Sequence, residues 1–128
     1  MSHIDEIAVT AITRYRKRAK DESFRRFVRQ FPCVACKKVG TFRRPIEAAH
    51  MGPRAFGSKA DDCLCLPLCS ECHQHGPGAL HKVGPVEFQA VHSLDFAALQ
   101  GMFNTFYFHK FGKWAKGWEV EEERRKAA

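Results

Sequence analysis

Residues 68–81 read "LCSECHQHGPGALH", with two cysteines, three histidines and the breakers Gly76, Pro77 and Gly78 within fourteen positions. A packing surface needs far less metal-ligand chemistry. Cys69 and Cys72 form a CxxC knuckle, and Cys33 and Cys36 in "PCVAC" form another, with 32 residues between the two. Thiolates are soft ligands that suit zinc. A closed four-cysteine site also contributes folding free energy to a domain with a small core. The spacing therefore predicts one structural zinc held by Cys33, Cys36, Cys69 and Cys72. Two such pairs fit a redox CxxC poorly. Because every coordination position is filled, such a zinc does no chemistry itself. Cys63 and Cys65 are left over, and their alternation in "CLCLPL" reads as small buried side chains on one strand face, with Pro67 limiting the strand to an edge or an end.

Working outward, "CVACKKVGTFRRPIEAAH" reads as a knuckle, a turn at Gly40 and an extended segment ending at His50. Paired with the strand from Cys63, it makes a two-stranded antiparallel unit. "MGPRAFGSKADD" reads as a loop. A helix is expected after Cys72, interrupted by "HGPG" before "ALHKVG". His73, directly after the second knuckle, points away from the zinc and is free for a second metal. A histidine on a strand facing histidines on a helix is a ββα-metal arrangement. Farther out, "PVEFQAVH" is a short helix and "SLDFAALQGMFNTFYFHKF" the clearest one, with Phe96, Leu99, Phe103, Phe106 and Tyr107 as its apolar face. Towards the N-terminus, Ile4, Ile7, Ala8, Ala11, Ile12 and Tyr15 predict a helix ending near Lys20. Asp21 then caps "ESFRRFVRQF", whose Phe24, Phe27 and Val28 are buried.

The expected fold is α+β: a small ββα-metal core with a four-cysteine zinc site, flanked by N- and C-terminal helices. No internal repeat or linker divides the 128 residues. They read as one domain, with a basic helical region at 1–30, the core at 31–84, helices at 85–118 and a charged tail at 119–128. The net charge of +7 is uneven, since residues 1–60 hold 14 Lys/Arg against 5 Asp/Glu and residues 61–128 hold 7 against 9. A polyanion is the natural partner for the basic half. No apolar run of about 18 residues could span a bilayer. The first twenty residues do not have the pattern of a secretory signal, so a reducing cytoplasm is expected.

The order and spacing of "PCVAC", "IEAAH", "GSKADD", "LPLCSECH" and "LHKVG" resemble the HNH endonucleases, specifically a compact phage-type group with a zinc-knuckle frame. The recombinase-dependent phage nucleases look like more distant relatives. The resemblance covers roughly residues 24–110. It implies that His50 is the general base that deprotonates the attacking water and that His73 binds a catalytic divalent metal such as Mg²⁺ or Mn²⁺. His81, displaced by "HGPG", or His75 would be a further ligand. Ala49 stands where many members carry an aspartate ligand, so the set also draws on His75, His81 or a carboxylate. No asparagine lies between His50 and Cys69, and Asp62, or failing that Asp61, would brace the loop. DNA is the implied substrate, with Arg43, Arg44, Arg54 and Lys59 placed to hold its phosphate backbone.

Two other functions fit parts of the pattern. One is a non-catalytic zinc-stabilised nucleic-acid-binding module, which would not nick DNA with manganese or magnesium. The other is a redox or zinc-sensing regulator using Cys63 and Cys65, which would release its zinc on oxidation.

Overall fold

The computed structural model describes residues 18–52 and 60–118. The expected first helix, Arg54, Lys59 and the charged tail lie outside the described residues. Asp21 opens α1 (Glu22–Val28) because its Oδ1 accepts the Phe24 N–H at 3.1 Å, one of the four donors a helix start leaves unpaired. Its other oxygen accepts from Lys116 N at 2.9 Å, tying the helix start to the C-terminal segment. Phe24, Phe27 and Val28 turn inward, as their spacing predicts.

β1 (Ile46–His50) and β2 (Cys65–Cys69) pair antiparallel, with Ile46 opposite Cys69 and His50 opposite Cys65. In such a ladder a residue's N–H and C=O point to the same side. The Pro67 carbonyl faces outward to accept Val34 N at 3.0 Å, so its missing N–H falls on the outer edge and costs no ladder bond. Two short strands are marginal alone. Here β2 is buried along all five residues. The expectation that Cys63 begins this strand is corrected: Asp62–Leu64 form one 3₁₀ turn and the strand starts at Cys65. Both thiols are nevertheless completely buried.

After β2 the chain makes a single π-helical turn (Glu71–His75), closed by Gly76 N to Glu71 O at 2.9 Å, and breaks at "HGPG" as the sequence predicts. A Cβ at Gly76 would come 2.9 Å from that same Glu71 oxygen, so only glycine closes the turn. The breakers then separate it from α2 (Leu80–Val83), followed by α3 (Pro85–His92) and α4 (Phe96–Phe111). Tyr107 of α4 meets Phe24 edge-on at 5.3 Å and Phe27 at 5.5 Å, a favoured arrangement for aromatic quadrupoles. The small α+β architecture with a two-stranded sheet, four helices among the described residues and clustered cysteines matches the fold expected from sequence. None of these helices is long and apolar enough to cross a membrane.

The buried face of α4 differs from its apolar pattern. Phe106 is 43% exposed and Leu99 only partly buried, whereas Gln100 and Asn104 are buried beside Phe96, Phe103 and Tyr107. The reason is unpaired backbone next door. Gln100 Nε2 donates to Met51 O at 2.9 Å and to Leu64 O at 3.0 Å, and Asn104 Nδ2 donates to Cys63 O at 2.8 Å. These carbonyls belong to chain just past β1 and just before β2, where no ladder partner exists, and leaving them bare inside the core is costly. Asn104→Ala should therefore lower the unfolding free energy by about 2 kcal/mol while zinc content stays at wild type. Urea midpoints of the two proteins check this.

Candidate functional site

The Sγ atoms of Cys33, Cys36, Cys69 and Cys72 all lie within 4.8 Å of one another, with Cys36 and Cys69 at 3.8 Å. Thiolates around a tetrahedral zinc stand about 3.8 Å apart, so the cluster fits that ion. Each knuckle turns a backbone donor onto its first cysteine: Cys36 N to Cys33 Sγ and Cys72 N to Cys69 Sγ, both 3.5 Å. Burial opposes ionisation of Cys33, but backbone N–H groups of Cys36, Cys69 and Ala35 hold its pKa below the ordinary thiol value. Burial pushes Cys72 and Cys69 up, and the Cys33 charge adds to this. One thiolate forms readily and the next ones resist. A divalent cation held there would remove that repulsion and so link metal binding to folding.

His50 closes β1, and its Nε2 lies 2.8 Å from Asp62 Oδ1. A carboxylate only accepts, so Nε2 carries the hydrogen and Nδ1 keeps a free lone pair. Asp62 is held in turn, since its Oδ2 accepts Asp21 N at 2.7 Å and its own N–H donates to Ala19 O at 3.0 Å. Asp61 accepts Ala19 N at 2.8 Å, so the expected alternative brace holds the entering chain and Asp62 meets the histidine. Arg18 Nη1 sits 3.4 Å from His50 Nε2 and 3.8 Å from Asp62 Oδ1. Burial depresses the His50 pKa below the usual 6.5. Asp62 pulls it back up and Arg18 pushes it down again. Burial works against the Asp62 charge, yet the bonds from His50 and Asp21 leave its pKa below the ordinary carboxylate value.

Across an open cleft of about 480 Å³ from His50 lie His73 and His81. Their rings are 4.4 Å apart, edge to face. Gly76–Ala79 turn the chain back to bring His81 there, whereas His75 is exposed and lines no part of the cleft. Glu47, which the sequence reading left unnumbered, accepts from His73 Nδ1 at 2.8 Å and from Gln74 Nε2 at 3.0 Å. Burial raises its pKa, but these two bonds outweigh that and keep it ionised. With Nδ1–H committed to Glu47, His73 Nε2 is left with its lone pair, the usual carboxylate–histidine arrangement behind a metal ligand. Arg25 of α1 and Arg29, just past its end, line this cleft; Arg43 and Arg44 do not, standing instead on a turn at Thr41–Arg44. The positive excess of residues 1–60 includes all four arginines, and charge counting does not tell which of them face the histidines. Glu47 carried one available signal, a carboxylate three residues before His50 in "IEAAH".

Among the described residues, one further donor group is as tight as the four thiols: His50, Asp62 and Cys65. It makes a poor cation site, because burial pushes the Cys65 thiol up to about 12 and Asp62 is already engaged by His50 and Asp21. The group is better suited to orienting the His50 ring.

Fold and site thus define a small domain with four cysteines positioned for zinc, in which a histidine–carboxylate pair faces two further histidines across a cleft lined by Arg25 and Arg29. Residues 17–110 match the family model described as recombination enhancement, RecA-dependent nuclease. The chain belongs to that family, which bears on nucleic acid as substrate. No curated protein and no solved structure matches it.

Cys69→Ser opens the closed thiol site, and it should lose both the bound zinc and much of the cooperative unfolding transition. Zinc stoichiometry and a melting curve measure the two effects. One retained equivalent with unchanged melting would overturn the four-cysteine assignment.

Proposed function

We propose that the chain is a metal-dependent endonuclease that hydrolyses DNA phosphodiester bonds by an HNH-type reaction, leaving 5′-phosphate and 3′-hydroxyl ends. The observation that carries this reading is the His50–Asp62 contact at 2.8 Å, opening onto the same cleft as His73 and His81. His50 Nδ1 is the general base. Its depressed pKa keeps the ring neutral and able to take a proton at neutral pH. Asp62 fixes the tautomer through Nε2–H and stabilises the imidazolium that forms. As the water oxygen bonds to phosphorus, its proton passes to Nδ1. The bond from phosphorus to the 3′ oxygen breaks, and that oxygen leaves as the hydroxyl after taking a proton from solvent.

His73 and His81, with Glu47 behind His73, form the set that would hold the divalent ion. When bound, that ion supplies Lewis-acid stabilisation of charge on the scissile phosphate and on the leaving oxygen. Arg25 and Arg29 supply fixed positive charge along the same cleft, where a phosphate must compete with their ion pairs to Glu22 at 3.0 and 2.8 Å.

Nicking of supercoiled plasmid with magnesium or manganese, wild type beside His50→Ala, tests the reading. His50→Ala should cut about 10² to 10⁴-fold more slowly while manganese binding stays near wild type. His73→Ala should instead lose the manganese, and Glu47→Gln should weaken it about tenfold or more, read by calorimetric titration into zinc-loaded protein. Normal metal binding by His73→Ala, His75→Ala and His81→Ala alike would remove these histidines as ligands.

The pH profile has a definite sign. His50 must be neutral to act and its pKa lies below 6.5, so the acid limb of the rate profile should fall below pH 6.5. Arg18→Ala removes a neighbouring positive charge and should move that limb upward. Asp62→Asn should move it downward as the rate drops. The two opposite shifts separate electrostatic tuning from simple loss of structure.

A further inference from the structure

We infer that the turn Thr41–Arg44 is a single-strand contact in which the Phe42 ring stacks on an unpaired base of the nucleic-acid strand leaving the His50 cleft. Phe42 is 100% exposed. A phenylalanine wholly in water contributes nothing to the core. Nor is it on a frayed end. Thr41 N donates to Arg44 O at 3.0 Å, and Arg44 N donates to Thr41 O at 3.2 Å and to Thr41 Oγ1 at 3.1 Å. The neck of this arm is equally fixed. A Cβ on Gly40 would come 2.9 Å from Ile46 Cγ1, so glycine lets the arm lie directly against β1. Its base is pinned to the zinc knuckle through Cys33 N to Lys38 O at 3.1 Å. The backbone that carries the ring is therefore held in a set place, and little backbone ordering remains to oppose binding.

The surroundings select the partner. Residues 37–45, "KKVGTFRRP", carry four cations and no acid. Beside Phe42 runs an open groove of about 440 Å³, and two of its lining residues, Arg29 and Ile46, also line the His50 cleft. The two depressions are neighbours, sharing Arg29 just past α1 and Ile46 at the start of β1 as a common wall. A strand whose phosphate lies near His50 thus has a cationic path to an aromatic face. Cations along a backbone track with a ring for the bases is the chemistry that binds single strands. Bases inside a duplex are already stacked on one another and must be unstacked before they can meet such a ring.

The inference rests on the cleft holding nucleic acid, and its test requires no cleavage. Zinc-loaded protein without added magnesium or manganese would be titrated into a labelled oligothymidylate and a duplex of equal length, at several salt concentrations. Phe42→Ala should weaken oligothymidylate binding about tenfold at every salt concentration and duplex binding by less than about twofold. Phe42→Trp should bind the single strand at least as well as wild type. Arg43→Ala should instead flatten the dependence of affinity on salt. Zinc content and melting of both Phe42 variants should match wild type, since the ring touches no core.

Unchanged single-strand binding by Phe42→Ala would overturn the contact, as would an equal loss on both substrates. The nuclease reading fails separately: a wild type that never cleaves but shows the Phe42 effect keeps the contact and loses the catalytic assignment. A wild type that cleaves without any Phe42 effect does the reverse.

Discussion

Four cysteine side chains drawn within 4.8 Å of one another cannot all ionise unless a cation joins them. The rest of the molecule depends on that constraint. One pair of thiols sits before β1 and the other spans the end of β2 and the π-helical turn, so the same cluster closes the sheet from one end. It carries the arm bearing Phe42 on one side and places His73 one residue beyond a ligand on the other. A two-stranded sheet of five residues each has too little apolar area to hold such elements in register alone.

At the other end of the sheet, buried polar side chains take over. The His50–Asp62 pair lies where chain leaves β1 and returns to β2, a region that has no ladder bonds to hold it. Three attachments replace them: Gln100 bridges the Met51 and Leu64 carbonyls, Asn104 takes that of Cys63, and the residues around Asp21 grip Asp61 and Asp62. In a low-dielectric interior each such bond is costly to lose, so the pair is stiff. Those same carbonyls explain why polar residues occupy the inner face of α4.

Charge is divided by the same geometry. Arg18 sets the environment of the His50 ring, Arg25 and Arg29 face the cleft, and the cations of the 37–45 arm extend the positive surface away from it. Glu47 is the acidic exception on this wall, its carboxylate held by His73 and Gln74.

Some of this was legible in the chain alone. Metal ligands come in short local spacings, so the two CxxC pairs and "CH" could be recognised without knowing how the chain folds. Caps and helical periodicity are local as well, which is why Asp21, the helix at Pro85–His92 and the helix at Phe96–Phe111 were readable. What required the tertiary structure were pairings between distant residues whose types say little by themselves. Glu47 meets His73 across 26 positions, Gln100 reaches Met51 across 49, and Arg18 meets His50 across 32. Choosing His81 over His75 as the neighbour of His73 also depended on how Gly76–Ala79 reverse the chain, since a π turn and a break in helix phase erase the periodicity that sequence reasoning uses. Spacing along the chain thus determined where the candidate ligands cluster; packing decided which of them face one another.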